Sequence, residues 1–375
     1  MQIPLSNPDI TSREREYVLA VLNTPHLSLG PLLPKFEDEF AKRLGVKHAI
    51  AVNSGTSGLH LAVRALELGE GDSVITTPFS FVASSNCLLF ERVRPVFVDI
   101  DPVTFNLDPT QVEAAFESEE RFGKKVKGIL PVHVFGRPCQ MERVLKLSSK
   151  HRVPIIEDAC EALGAVYRGK LAGTFGTLAV FAFYPNKQMT TGEGGMIVTD
   201  DPMLAALCRS MRNQGRGEGG GWLAHERLGY NYRLSDINCA LGIAQLERLD
   251  EILSKRARVA DLYAAKLAGI EEVTVPCLEE GVEVSWFVYV IKLADQYRRT
   301  DRDRILEGLR AKGIGCNNYF TPIHLQPFYQ QMFGYKAGDF PITESVAERT
   351  IALPFFNNLD EIQISYVVEE LKQLL

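Results

Sequence analysis

Close-paired cysteines, an excess of positive charge and long apolar runs are all missing from this chain of 375 residues. The seven cysteines are dispersed, so we expect reduced thiols and neither a disulfide framework nor a metal site. The net charge of −6 argues against a general nucleic-acid surface, which is usually basic, but leaves room for a local pocket that binds a phosphorylated ligand. No apolar run reaches membrane-spanning length, so we expect no membrane association.

The first residues of the chain lack a basic segment followed by an apolar one. We therefore expect no signal peptide and, with the dispersed cysteines, a cytoplasmic protein. A chain of this length can bury a large core and typically divides into two domains.

Short β-rich runs alternate with helix-length segments from residue 48 to about residue 199. This alternation predicts an α/β fold in which helices sandwich a mostly parallel sheet. Two amphipathic helices are expected before these strands, one starting at a capping box of Thr11 and Glu14 and one around Phe36 and Phe40. The expected strands are residues 49–52, 74–77, 96–99, 128–132, 153–158, 181–187 and 196–199, and a helix is expected at 59–68.

The remaining part of the chain mixes both kinds of element. Its pattern predicts a long helix from about residue 235 to residue 253, continuing to about residue 267, and a strand at residues 285–291. We therefore predict a large domain of residues 1–250 and a smaller α+β C-terminal domain of residues 251–375.

Two of the expected strands end in residues whose side chains can take part in catalysis. Residues 153–158 deliver a carboxylate, Asp158, and the later apolar run delivers Lys187 just before the glycine-rich turn of residues 191–195. A carboxylate that keeps a pyridine nitrogen protonated and a lysine that forms a Schiff base are what pyridoxal phosphate (PLP) requires of a protein. Both lie where an open α/β sheet collects its ligands, at the carboxyl ends of strands.

A turn of small residues, 53–58, follows the first expected strand and opens a helix. Its backbone N–H groups and the hydroxyls of Thr56 and Ser57 could bind a phosphate at the helix N-terminus. Taken singly, this turn could be an ordinary helix cap, Asp158 could be a helix N-cap and Lys187 could be a solvated surface lysine. Taken together, the three features favour a PLP site. The turn lacks the GxGxxG spacing of a Rossmann dehydrogenase.

The motifs of the chain resemble those of the DegT/DnrJ/EryC1/StrS family of PLP-dependent sugar aminotransferases, in the fold-type I aspartate aminotransferase superfamily. They run in family order from residue 50 to about residue 250. The matching segments are residues 54–60, 77–83, 95–101, 157–162, 183–187, 191–195 and 229–236.

The resemblance implies a role for each matching residue of the cofactor site. Lys187 would form the Schiff base and move a proton during transamination, and Asp158 would pair with the pyridine nitrogen. Phe81 would stack on the cofactor ring, although ordinary core packing is an alternative. Thr56 and Ser57 would bind the cofactor phosphate.

Three further positions bear on the cofactor. Asn231 would reach the phosphate from the neighbouring subunit, which makes a homodimer part of the active site. Glu161 falls where the family often has glutamine, near the cofactor's 3′-hydroxyl, and adds a second carboxyl. Ala182 stands where the family often has a phosphate-binding serine, so one phosphate hydrogen bond is absent or replaced.

Candidate substrate residues have alternatives that the sequence leaves open. Arg233 could bind a diphosphate through its fork of donors, or form a surface ion pair. Tyr319 and His324 fall at substrate-side positions of the small domain, and His324 could instead be structural. The turn around Gly30 could border the sugar.

The activity that the resemblance implies is transfer of an amino group from glutamate to a nucleotide-linked keto-sugar, by a ping-pong mechanism, in the biosynthesis of amino sugars or polysaccharides. One alternative is the sugar dehydratase branch of the family, which typically replaces the lysine with histidine, so Lys187 argues against it. Another is a non-catalytic regulatory homologue.

Overall fold

A computed structural model describes residues 1–121, 125–217 and 224–375 of the protein. The helices are α1 (Ser12–Leu22), α2 (Leu32–Leu44), α3 (Gly55–Ala65), α4 (Ala83–Phe90), α5 (Pro109–Arg121), α6 (Met141–His151), α7 (Pro202–Arg212), α8 (Asp236–Glu247), α9 (Leu249–Leu267), α10 (Arg299–Ala311), α11 (Pro327–Phe333), α12 (Pro341–Arg349) and α13 (Glu361–Leu374). The strands are β1 (His48–Val52), β2 (Ser73–Thr76), β3 (Arg94–Phe97), β4 (Val126–Ile129), β5 (Ile156–Asp158), β6 (Val166–Tyr167), β7 (Lys170–Leu171), β8 (Leu178–Ala182), β9 (Gly195–Thr199), β10 (Val273–Thr274), β11 (Val282–Glu283), β12 (Tyr289–Leu293) and β13 (Thr350–Leu353).

The central sheet has the strand order β1-β9-β8-β5-β4-β2-β3. Two parallel bridges, Ile129 to Ile155 and Val132 to Asp158, join its two halves. Strand β9 runs antiparallel to both neighbours, whereas β8, β5, β4, β2 and β3 pair in parallel. The prediction of a mostly parallel sheet is therefore confirmed.

Helices cover both faces of this sheet because its strands are apolar on both sides. In β1, Ile50 and Val52 pack into the core beneath α3 and α7, while Ala49 and Ala51 join the core beneath α2 and α8. Such two-sided burial is typical of parallel sheets. The predicted capping box at the start of α1 is confirmed, since the backbone N–H of Thr11 donates to Glu14 at 2.7 Å.

The C-terminal part builds a second core. Strands β10, β12 and β13 form an antiparallel sheet against α9, α10 and α13, as expected for an α+β unit. The N-terminal segment joins this core, because Ile3 is buried in it and bridges to Ile314. The division into residues 1–250 and 251–375 stays a prediction.

Three element predictions were wrong in detail. The strand expected at 181–187 lies earlier in the chain, because β8 ends at Ala182 and Lys187 falls in the turn that follows. The strand expected at 285–291 begins only at Tyr289, since Trp286 adopts a positive φ of 49° and leaves the extended conformation. The helix expected to run unbroken from residue 235 to residue 267 is divided at Arg248, whose guanidinium bonds to Asp9 and Glu14. Within the described residues, the helices are all too short or too polar to traverse a lipid bilayer.

Candidate active site

The carboxyl ends of β5 and β8 bring Asp158 and Lys187 to one cavity of about 650 Å³. Asp158 is the last residue of β5, and Lys187 lies in the turn that follows its parallel neighbour β8. The residues that line the cavity include Ser54, Gly55, Thr56, Ser80, Phe81, Ser84, Asp158, Cys160, Glu161, Ala182, Tyr184, Asn186, Lys187, Glu193, Phe287, Asn317, Asn318, Tyr319, Phe320 and Gln326.

The Asp158 carboxylate is buried and held from two sides. The Ser84 hydroxyl, on α4, donates to one oxygen at 2.7 Å. The backbone N–H of Cys160 donates to the other oxygen at 3.1 Å. The Ser80 hydroxyl in turn donates to Ser84 at 3.0 Å. These bonds fix the orientation of the carboxylate at the cavity wall.

The Lys187 amine contacts one carboxyl and one aromatic ring. Its Nζ lies 3.4 Å from Glu161 Oε1 and 3.8 Å from the centroid of the Phe287 ring. The other Glu161 oxygen accepts the backbone N–H of Phe135 at 2.9 Å. Burial raises the pKa of Glu161, against the opposing effects of the Lys187 charge and of this N–H.

The Phe287 ring reaches Lys187 because buried groups hold the segment that carries it. On α9, the Arg256 guanidinium donates to the carbonyl oxygens of Trp286 at 2.6 Å and Phe287 at 2.7 Å. Gln188, next to Lys187, donates through its amide to the Ser285 hydroxyl at 2.8 Å. The lysine turn and the ring are therefore positioned by one connected set of hydrogen bonds.

The turn that opens α3 brings backbone N–H groups to the cavity. Ser54 caps the helix by accepting the N–H of Ser57 at 3.1 Å. Glycine permits close approach here, because a Cβ on Gly55 would stand 2.7 Å from Cβ of Ala182 and one on Gly195 would stand 2.7 Å from the Ser54 carbonyl oxygen. A helix N-terminus of this kind binds anions well.

These residues fit PLP. Phe81 is 63% exposed at the cavity, which leaves the ring free to stack on an aromatic ligand. The Asn186 amide oxygen is buried and has no hydrogen-bond partner among the described residues, so it can accept from a ligand. An anion site at α3, a carboxylate and an amine surround the same space.

The structure brings most predicted cofactor residues together. Thr56, Phe81, Asp158, Glu161 and Lys187 line the cavity. Ser57 lies just behind the wall, where its hydroxyl is 2.9 Å from that of Ser54. Asn231 is exposed and lies outside this chain's own cavity.

Of the predicted substrate residues, Tyr319 lines the cavity and the others lie apart from it. The N–H of Gly30 donates to Asp236 at 2.8 Å, which ties that turn to the start of α8. Arg233 donates to the Asn213 amide oxygen at 3.0 Å.

His324 is fully buried, with Nε2 3.0 Å from Glu344. Burial lowers the pKa of His324, although Glu344 opposes this effect.

The sequence reasoning missed several cavity residues. Ser84 could have been found, since it closely follows the Phe81 motif and lies in the first turn of α4, where its hydroxyl accepts from that of Ser80. Asn317 and Asn318 adjoin Tyr319 and could also have been included. No local signal points to Phe287, because only the tertiary path of the chain brings it to the lysine.

The sequence model of the DegT/DnrJ/EryC1/StrS aminotransferase family matches residues 8–372 of the chain. The chain is 40% identical over 377 residues to a protein of Caulobacter vibrioides named GDP-perosamine synthase, covering 100% of this chain and 98% of the relative.

Two solved structures are similar to this protein over its whole length. The Helicobacter pylori protein PseC, described as an aminotransferase involved in the biosynthesis of pseudoaminic acid, matches with a TM-score of 0.92 and 30% identity over 100% of this chain and 99% of PseC. The protein Spr1654 of Streptococcus pneumoniae, in its PLP form, matches with a TM-score of 0.93 and 27% identity over 100% of this chain and 98% of Spr1654.

Proposed function

Because the chain belongs to the DegT/DnrJ/EryC1/StrS aminotransferase family, we propose that it transfers an amino group from glutamate to a keto-sugar carried on a nucleotide. The family and its named relatives confirm the prediction of a PLP-dependent sugar aminotransferase. Glutamate as donor and a nucleotide-linked keto-sugar as acceptor are our proposal. The observation that carries it is the convergence of Lys187, Asp158 and the α3 N-terminus on one cavity.

Each cofactor residue has a proposed task. When bound, PLP supplies an electron sink that stabilises negative charge on the carbon next to the transferred nitrogen. Lys187 would hold the cofactor covalently and, once released, carry a proton on Nζ. Asp158, oriented by Ser84, would keep the ring nitrogen protonated. Phe81 would stack on the ring.

The phosphate site is proposed to be shared between subunits. Thr56 and the backbone at the start of α3 would bind the phosphate directly, and Ser57 would support the turn through Ser54. Asn231 is exposed outside its own cavity, which agrees with a role at the site of a second copy in a homodimer.

The far wall of the cavity is suited to a sugar. Asn317, Asn318 and Gln326 offer amide groups that pair with hydroxyls, and Tyr319 offers a ring and a hydroxyl. We propose that Tyr319 contacts the sugar directly. His324, buried against Glu344, would instead shape the segment that carries this wall.

Two other predicted residues are proposed to act across the subunit boundary. Gly30 and Arg233 lie outside this chain's cavity, so either would meet the nucleotide sugar only at the site of the second copy. The Caulobacter relative named GDP-perosamine synthase supports a nucleotide sugar as the acceptor. The pathway that we propose is the biosynthesis of amino sugars or polysaccharides.

The test is a two-stage assay of the purified protein loaded with PLP. Glutamate should bleach the visible absorbance band of lysine-bound PLP and release 2-oxoglutarate. A panel of nucleotide keto-sugars should then restore the band, with the amino sugar identified by mass spectrometry. A band that glutamate leaves unchanged would contradict the proposed donor. Bleaching followed by no turnover of any keto-sugar would contradict the proposed acceptor.

A further inference from the structure

The Lys187 amine has one carboxyl beside it that can take its proton. Among the described residues, Glu161 is the only carboxyl within salt-bridge distance of Nζ, at 3.4 Å. On another side Nζ faces the Phe287 ring, which accepts no proton. The lysine side chain is only 13% exposed, so exchange of its proton with bulk water is restricted.

The neighbours of Glu161 act on its pKa in opposite directions. Its side chain is only 8% exposed, which disfavours the anion, and burial raises its pKa. The N–H of Phe135 and the charge of Lys187 favour the anion and oppose this effect. Asp158 lies close enough to raise the pKa of Glu161 further. Burial and Asp158 therefore favour the protonated form of Glu161, whereas Lys187 and the N–H of Phe135 favour its anion.

Cys160 and Tyr319 also face Glu161 and do not compete for the proton near neutral pH. Burial raises the pKa of Cys160 well above its usual value, and burial also raises the pKa of Tyr319. Both groups therefore keep their protons in this range. Asp158 has its own donors, Ser84 and the N–H of Cys160.

We propose that Glu161 is the internal proton acceptor of Lys187. An N–H bond on Nζ breaks, an O–H bond forms on Oε1, and the electron pair stays on nitrogen, so an ammonium–carboxylate pair becomes a neutral amine beside a neutral carboxyl. The free amine can then condense with an aldehyde and release one water molecule. The inference rests on the proposed function, because it concerns the capture of PLP by this lysine.

This arrangement has a specific consequence for pH. While the pair holds one proton, its distribution between nitrogen and oxygen does not depend on pH, and neither does the fraction of free amine. Without the carboxyl, the free-amine fraction rises about tenfold per pH unit until the amine is fully deprotonated.

The experiment mixes PLP-free protein with PLP at a series of pH values from about 6 to about 9, between the ordinary pKa ranges of a carboxyl and an amine. It follows the rate at which the visible band appears. The variant Glu161→Gln keeps the shape of the side chain and an oxygen for the N–H of Phe135. Free PLP titrates in the same way in both reactions, so dividing the wild-type rate by the variant rate at each pH cancels its effect. We expect this ratio to fall about tenfold per pH unit as pH rises. A ratio that does not change with pH would overturn the inference.

Two controls separate this result from other causes. Glu193 also lines the cavity, but its exposed carboxylate takes no part in the salt bridge between Lys187 and Glu161. The Glu193→Gln variant should therefore retain the wild-type pH profile. A Glu193→Gln profile that matches that of Glu161→Gln would contradict a special role of Glu161. Absence of a visible band from the wild-type protein at every pH would instead contradict the proposed function itself.

Chemical rescue provides a second measurement if Glu161→Gln does not fold. Glu161→Ala leaves space beside Nζ that formate, a small carboxylate, can enter. The rate at which the Glu161→Ala variant binds PLP should rise with formate and not with chloride at the same ionic strength. The wild-type rate should change with neither salt. Equal rates in formate and chloride would contradict the inference, because a purely structural Glu161 predicts that equality.

Discussion

Asp158 depends on a neighbouring helix for its orientation. The carboxylate ends β5, but one of its oxygens is held by the Ser84 hydroxyl of α4 at 2.7 Å. Hydrogen bonds to charged groups contribute about 1.5–3 kcal/mol each, more than neutral ones. Ser84 is therefore expected to control how well Asp158 faces the pyridine nitrogen of PLP.

We predict that Ser84→Ala raises the dissociation constant of PLP about tenfold or more, since one hydrogen bond to a charged group is lost. Equilibrium dialysis of PLP checks this. The matched control is Ser85→Ala, because the neighbouring Ser85 hydroxyl is buried and has no hydrogen-bond partner among the described residues. Equal PLP affinity in both variants would show that Ser84 does not orient Asp158.

At this scale the sequence identified the residues with reactive groups. Asp158 ends one strand and Lys187 follows its neighbour, so the α/β pattern was enough to group these two residues. Glu161 was placed near them only by the family resemblance. Phe287 could not be predicted, because it lies 100 positions from Lys187 and meets it only through the fold. His324 shows the opposite case, since its residue type suggested a substrate contact but the fold buries it against Glu344.

Helix α9 holds the segment of Trp286 and Phe287 through a buried arginine. Its Arg256 is buried without a carboxylate partner among the described residues and bonds to the carbonyl oxygens of Trp286 and Phe287 and to the amide oxygen of Asn357. The guanidinium also lies 5.0 Å from the centroid of the Phe355 ring. This anchor connects the C-terminal core to the ring that faces Lys187.

We predict that Arg256→Met lowers the free energy of unfolding by about 3 kcal/mol, because buried carbonyl oxygens lose their donors. Urea denaturation followed by circular dichroism measures the change. Arg258→Met on the same helix removes one bond, to the Leu359 carbonyl oxygen, and should cost about 1 kcal/mol. Similar losses in the two variants would contradict the anchoring role of Arg256.

Most elements could be predicted from the sequence, but the segment that Arg256 anchors could not. The strands of the central sheet follow from apolar runs of strand length, and the helices that cover it follow from their apolar positions. Residues 286–288 are equally apolar and β-rich, yet they form no strand. The carbonyl oxygens of Trp286 and Phe287 pair with Arg256 instead of a neighbouring strand, and a single-sequence pattern contains no sign of that competition.

For the whole molecule, the proposed homodimer depends on the segment around Asn231. Tyr230 and Tyr232 flank this residue with stacked rings, and their hydroxyls contact Glu91 at 3.2 Å and His60 at 3.1 Å. Asn231 itself remains exposed. The segment is thus fixed to its own chain on both sides of a residue whose side chain is accessible to another.

Complementation between two inactive chains tests this arrangement. Lys187→Ala and Asn231→Ala should each lose transaminase activity, but a mixed dimer contains one site with both residues intact. Random pairing after co-expression in equal amounts should therefore restore about a quarter of the wild-type activity, because half of the dimers are mixed and each has one complete site. No recovery above the separate variants would contradict a shared site.

The central claim is that the ε-nitrogen of Lys187 binds the PLP aldehyde opposite Asp158. Reduction with borohydride makes that bond permanent, and peptide mapping by mass spectrometry then locates the label. We predict one labelled peptide, which contains Lys187 and is absent from the Lys187→Ala variant. A label on a different lysine, or no label at all, would contradict the account.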